Sequence, residues 1–188
     1  LSTGVIFYLD NLPVRTFKWS MMGATAILVT SLITLDVTAE QTDVRSVYLA
    51  FSAALLVWGF QEISLYMGVI TGPRKIRCEE GCSGIRHFGH AIAANLYHEI
   101  SIILGAIVIY ALTKDADLPF GFFTYIILWG MHLSARLNVF LGVRNVSEEF
   151  VPAHMDVMKS FLNKKPMNIL FPVSVTIAMI GTFCLVNR

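Results

Sequence analysis

Charge is what this sequence has least of. Asp, Glu, Lys and Arg make up 14% of its 188 residues against 55% hydrophobic residues, and the 14 basic side chains are nearly matched by 13 acidic ones. A net charge of +1 with no basic run or tail excludes a nucleic-acid surface, which needs a concentrated positive patch to hold phosphates. Decapeptides of alternating polarity are absent, and with them the mark of a membrane β-barrel. No internal repeat supports an inverted-repeat transporter. Soluble-enzyme signatures are missing too: no Walker loop, no dinucleotide glycine fingerprint, no G-x-S-x-G, and no H-E-x-x-H, because "YHEI" continues with Ser101 and Ile102. "GVITGPRK" lacks the Gly-Lys-Ser/Thr ending that cradles a phosphate. Catalysis is unsupported by motif, not excluded. The opening "LSTGVIFYLD" has no initiator Met and no charged n-region, so it reads as the exit of a helix begun before residue 1 and not as a targeting peptide.

What the sequence does have is apolar blocks. Mean hydropathy is +0.65, and five long runs, roughly 17–35, 46–70, 88–113, 119–142 and 167–186, each approach the ~20 residues that cross ~30 Å of hydrocarbon at ~1.5 Å per residue. The expected fold is all-α: one membrane domain over 1–188, a transmembrane helix bundle of five full spans plus a partial N-terminal one. Turn chemistry at "DNLP", "TGPRK", "DADLPFG" and "KKP" separates the spans. Ten basic residues fall in alternate connectors (Arg15, Lys18; Arg74, Lys75, Arg77, Arg86; Arg144, Lys159, Lys164, Lys165), against Arg45, Lys114 and Arg188 on the other side. By the positive-inside rule the first group is cytoplasmic, which puts residue 1 and Arg188 outside. In the last basic connector, Val151, Met155, Met158 and Leu162 recur at helical spacing after Pro152, which predicts an amphipathic helix on the membrane surface, either packed on the bundle or docking a partner.

Within the apolar blocks sit titratable groups, which hydrocarbon tolerates only when they are partnered or functional. Glu62 lies about eight residues from the basic end of its span, and His98 and His132 about ten from theirs, so all three reach a depth of ~12–15 Å at helical rise. Arg136 lies one turn from His132, and Gln61 and Asn138 are nearby. One reading is a polar lock, Glu62 or Glu99 pairing with Arg136 while the histidines bond across helices. A second is a ligand or metal site in which His98 and His132 offer imidazoles and Glu62 and Glu99 carboxylates. A buried His beside a carboxylate also suits the magnesium of a chlorophyll or the iron of a haem. A di-iron centre lacks its repeated Glu-x-x-His, since His98 and Glu99 are adjacent and point ~100° apart. Proton relay is the remaining alternative.

Cysteine is also sparse, at three residues. In "CEEGCSGIRHFGH", Cys78, Cys82, His87 and His90 are four possible zinc ligands within thirteen residues. A reducing cytoplasm disfavours a disulfide there. Only four residues separate Cys82 from His87, whereas zinc fingers place about a dozen between ligand pairs, so the spacing argues against zinc and for two interfacial histidines. Cys184 is expected to pack among apolar side chains.

"STGVIFYLDNLP", "WGFQEISLYMGVITGPRK", "NLYHEI", "SARLNVFLGVRN" and "NILFPVSV", in this order and spacing, resemble the PuhE family of photosynthetic complex assembly proteins from purple and aerobic anoxygenic phototrophic bacteria. The resemblance covers essentially the whole chain. It implies a multi-pass protein of the inner, photosynthetic intracytoplasmic membrane, among membrane lipids, that serves assembly of the reaction centre and its core light-harvesting ring and contacts subunits of these. Bacteriochlorophyll is the cofactor this context favours, with a metal ion as the alternative. The matching polar positions are Gln61, Glu62, Gly72, Pro73, Arg74, His98, Glu99, Arg136, Asn138, Arg144 and Asn145. His132, Cys78 and Cys82 depart from the family pattern, which leaves Glu62, His98 and Glu99 as the positions the resemblance favours. Two further functions stay open beside assembly: a stoichiometric subunit of the photosynthetic complex, and a membrane metalloenzyme of pigment or quinone metabolism.

Overall fold

A run of apolar residues becomes a helix in hydrocarbon because every backbone N–H and C=O must be satisfied within the segment. Between residues 25 and 38 the hydroxyls obey the same demand: those of Thr25, Thr30, Thr34 and Thr38 each donate to the carbonyl four residues back, at 2.7–3.1 Å. The computed structural model describes residues 2–79, 82, 84–144, 151–162 and 164–187. Asn145 and Arg188, named above, lie outside the described residues, as do Glu80, Gly81 and Ser83 of the cysteine-rich connector.

Among the described residues six α-helices follow in order: α1 Ser2–Asp10, α2 Phe17–Thr38, α3 Val44–Tyr66, α4 Gly84–Thr113, α5 Phe120–Leu141 and α6 Leu170–Val186. Short 3₁₀ segments, Val14–Thr16 and Ala153–Phe161, precede α2 and lie between α5 and α6. Helix predominates, and no strand occurs, among the described residues. Three stretches, Val14–Thr38, Val44–Tyr66 and Gly84–Thr113, are long and apolar enough to cross a membrane. Of the other two expected spans, α5 has 22 residues, and α6 is apolar and has 17.

α3 begins at Asp43, whose carboxylate accepts from the Ser46 N–H at 3.1 Å and from its hydroxyl at 2.6 Å. Those hydrogen bonds hold the Asp43 carboxyl below its ordinary pKa. α3 is the hub of the bundle, packing on α1, α2, α4 and α5. Its alanines make this possible: Ala50, Ala53, Ala54 and Val57 meet Leu35 of α2, Ile102, Ala106 and Ile109 of α4 and Tyr125 of α5 in one buried cluster. Small side chains let helix backbones approach closely where lipid supplies no hydrophobic drive for association. α6 rests on α5 and buries none of its own residues. Cys184, expected in apolar packing, is accordingly exposed, because its helix is peripheral.

Two local expectations are corrected. The span expected over 46–70 ends at Tyr66, where His154 Nε2 meets the terminal carbonyl at 2.8 Å and Gly68 turns the chain with φ +71°. The connector then runs back along α4, so that the His98 backbone N–H donates to the Thr71 carbonyl at 2.9 Å. Gly72 lies flush on α4, where a Cβ would collide with the carbonyl of Ala93. Glu62 is therefore one turn from the end of α3, not eight residues inside it. The amphipathic helix expected after Pro152 is a 3₁₀ segment broken at Met155 (φ −109°, ψ 21°). It packs on α4 through fully buried Phe161, in contact with Ala91 and Ala94, so it belongs to the bundle.

Candidate functional site

On α4 the buried positions Ala91, Ala94, Asn95, His98, Ile102, Ala106, Ile109 and Thr113 form one stripe at three- and four-residue steps. His98 lies on that stripe and is fully buried, and Glu99, ~100° round the helix, turns toward α5. On α5, His132 and Arg136 share a face one turn apart. α3 contributes Glu62 beside its own buried row, in which Gln61 follows Val57.

Three helices thus bring Glu62, His98 and His132 together: a carboxylate oxygen and one nitrogen from each ring lie within 4.8 Å of one another. Glu62 Oε1 is 3.0 Å from His132 Nδ1, and the two imidazole centroids are 5.7 Å apart at an interplanar angle of 59°. Although Glu62 and His132 sit at ion-pair distance, Glu62 Oε1 makes no aligned hydrogen bond. Both nitrogens of His98 and Nε2 of His132 are likewise buried without a partner. Trp58 closes one side, edge-on to His132 at 5.3 Å and to Tyr125 at 5.5 Å.

Much of the neighbouring polar structure is satisfied by the protein itself, although Asn95 Oδ1, Trp129 Nε1 and Asn138 Oδ1 are also buried without a partner. Ser101 Oγ donates to Gln61 Oε1 at 2.8 Å, Gln61 Nε2 donates to the Ser101 carbonyl at 3.3 Å, and the Tyr125 hydroxyl donates to the Ile102 carbonyl at 3.2 Å. On the other side Arg136 forms an ion pair with Glu99. Buried polar atoms in native proteins are nearly always partnered, and the middle layer is where unpartnered metal-ligating atoms converge within 4.8 Å of one another. Two imidazoles and a carboxylate are the donor set of first-row divalent metals such as zinc and iron(II). With metal–ligand bonds of about 2.0–2.2 Å, neighbouring ligand atoms stand roughly 3.3–3.6 Å apart in a tetrahedron and about 2.8–3.1 Å in an octahedron, and the 3.0 Å Glu62–His132 approach falls in the octahedral range.

The arrangement redistributes the predicted residues. His132, which departs from the resembled family's pattern, belongs to the cluster. Glu99, which the resemblance favours as a ligand, is committed to Arg136. Asn138 supports the α5–α6 turn: Asn168 Nδ2 donates to the carbonyls of Asn138 and Gly142 at 3.1 and 2.8 Å. Arg74 reaches the Arg77 carbonyl at 3.4 Å, and Arg144 is exposed. Sequence reasoning missed Trp58, Ser101, Tyr125 and His154. A signal existed for Trp58, which precedes Glu62 by one helical turn; His154 gave none, since its contact with α3 spans 88 residues.

At the basic end of α4 the second set also converges. Cys78 Sγ lies 3.4 Å from His87 Nδ1 and 3.5 Å from His90 Nδ1, and Cys82 Sγ lies 3.5 Å from His90 Nδ1. The connector's return toward α4 brings these groups together, so the short Cys82–His87 spacing that argued against zinc is no obstacle. Burial, reinforced by the adjacent Cys82 thiol, holds the Cys78 thiol above its ordinary pKa.

These features define an all-helical protein, with three helices able to cross a membrane, built around a buried His–His–Glu cluster. Over residues 1–188 the chain belongs to the family described as protein of unknown function DUF3623. A protein of Rhodobacter capsulatus, described as an uncharacterized 30.4 kDa protein in the puhA 5′ region, is 32% identical over 169 residues, which cover 90% of this chain and 62% of that relative. The chain thus spans less than two thirds of the relative's length. No solved structure matches it.

Proposed function

We propose that this chain is a multi-pass inner-membrane factor that serves assembly of the photosynthetic reaction centre and its core light-harvesting ring, and that Glu62, His98 and His132 bind a divalent metal ion within it. The context comes from the relative, described as lying in the puhA 5′ region, together with the resemblance of the sequence motifs to the PuhE family. The observation that carries the site is His98: fully buried, with neither ring nitrogen partnered, facing a second imidazole and a carboxylate. Bacteriochlorophyll suits this cluster less well than an ion, because its macrocycle needs an apolar slot beside the imidazole and His98 is enclosed by three packed helices. Pigment and partner subunits fit the outer surface instead, where Trp19, Tyr48, Phe51, Tyr97 and Tyr110 are exposed among aliphatic side chains that lipid covers elsewhere. The basic connectors face the cytoplasm in this reading.

A second reading has its own support. Three protein ligands leave a coordination position open, as catalytic metal sites do, which favours a metalloenzyme of pigment or quinone metabolism. Purification of the full-length protein from native membranes, with metal analysis, an absorption spectrum and a subunit inventory, tests both. The assembly reading expects bound metal lost in His98→Ala, with core complex falling further in that strain than in Cys78→Ala. Wild-type core complex in both strains overturns it. Turnover abolished in Glu62→Gln while complex subunits still co-purify favours the enzyme.

A further inference from the structure

We infer that Cys78, Cys82, His87 and His90 form a second, structural zinc site, one that ties the connector after α3 and the 3₁₀ segment Ala153–Phe161 to the first turns of α4. His87 and His90 are three residues apart on α4 and so present both rings to one side of the helix. Cys78 is brought to that side by contacts remote in sequence. Its backbone N–H donates to Ser160 Oγ at 3.1 Å, and Arg77 beside it pairs with Asp156.

Three sulfur–nitrogen distances match edges of a tetrahedron. Zinc–sulfur bonds of about 2.3 Å and zinc–nitrogen bonds of about 2.0–2.1 Å set sulfur–nitrogen edges near 3.5–3.6 Å. Three of the six edges are 3.4, 3.5 and 3.5 Å, and one donor atom from each of Cys78, Cys82 and His87 lies within 4.8 Å of the others. The tautomer of His87 is set correctly as well. Its Nε2 faces the Phe161 carbonyl at 3.3 Å, so Nε2–H donates there and the Nδ1 lone pair faces Cys78.

Hydrogen bonds can also fill these contacts, with the Cys78 thiol donating to His87 Nδ1 and a His90 Nδ1–H shared between the two sulfurs, so the sulfur–nitrogen distances and the His87 tautomer carry the zinc reading. One cation satisfies all three contacts together. Four protein ligands close the coordination shell, which makes the role structural.

The test uses full-length protein purified in detergent under reducing conditions. Elemental analysis is expected to find about one zinc per chain that is lost in the Cys78→Ser/Cys82→Ser variant and retained in Glu62→Gln/His98→Ala, whose own metal is scored separately. Zinc that survives the cysteine changes in a Glu62→Gln/His98→Ala background, or a Cys78–Cys82 disulfide in a zinc-free wild-type protein, overturns the inference. Should the cysteine variant fail to fold, cobalt(II) substitution of the wild-type protein decides. A sulfur-to-cobalt charge-transfer band in the near ultraviolet supports the site, and a spectrum without it overturns the inference.

Discussion

Glu99 of α4 and Arg136 of α5 are joined by an ion pair beside the His98 layer, with side chains only 22% and 14% exposed. The pair explains why two carboxylates near one level do not repel each other. Arg136 engages Glu99, which leaves Glu62 as the carboxylate facing the two histidines.

Breaking that pair from one side strands a buried charge. Arg136→Met is expected to lower stability by about 3–5 kcal/mol, the range for buried pairs broken singly. The double change Glu99→Gln/Arg136→Met is expected to recover more than half of that loss, because no charge remains to be buried. Thermal unfolding of the four proteins in one detergent completes the cycle. A single-variant loss below about 1 kcal/mol would mean that the pair behaves as if solvated.

Gly105 is required by the close approach of α5. A Cβ there would stand 2.5 Å from the Tyr125 hydroxyl oxygen and 3.2 Å from Gln61 Nε2. Gly105→Ala should therefore cost roughly 1–3 kcal/mol by overpacking. Tyr125→Phe, which loses one hydrogen bond to the Ile102 carbonyl, should cost about 1 kcal/mol. Combined, the changes should cost less than their sum by about 1 kcal/mol, since removing the hydroxyl also removes the worst clash. Strict additivity in unfolding measurements would disprove the contact.

Acid should loosen the connector after α3. Hydrogen bonding to Lys159, together with the Arg77 charge, holds the Asp156 carboxyl below its ordinary pKa of 3.8. A depressed carboxylate contributes stability that is present above the unfolded value and lost as pH falls through the folded one. Hydrogen-exchange protection factors for the Cys78 amide and for Ala153–Phe161 are thus expected to hold at pH 5 and fall below about pH 3.8. In Asp156→Asn they should be lower at pH 5 and change less on acidification. An unchanged wild-type profile across that window would show that the ion pair does not anchor the connector.

Helical class, apolar stretches and the presence of Glu62, His98 and His132 in three successive apolar segments were legible in the sequence, whereas the depth read for Glu62 was not, because α3 ends at Tyr66. The legible features depend on local quantities: side-chain hydropathy, 3.6-residue periodicity and a fixed rise per residue. Only the tertiary structure decided which groups meet. Glu99 differs from His98 by ~100° of rotation about one axis, and the packing of α4 against Ala53, Ala54 and Tyr125 sets where that axis faces. The end of α3 at Tyr66 was equally hidden, because it depends on His154, far along the chain. So was the meeting of Cys78 and Cys82 with His87 and His90, since a connector's path follows from contacts such as Thr71 with His98, Gly72 with Ala93 and Cys78 with Ser160. Such contacts exist only once the helices have packed, and no local pattern encodes them.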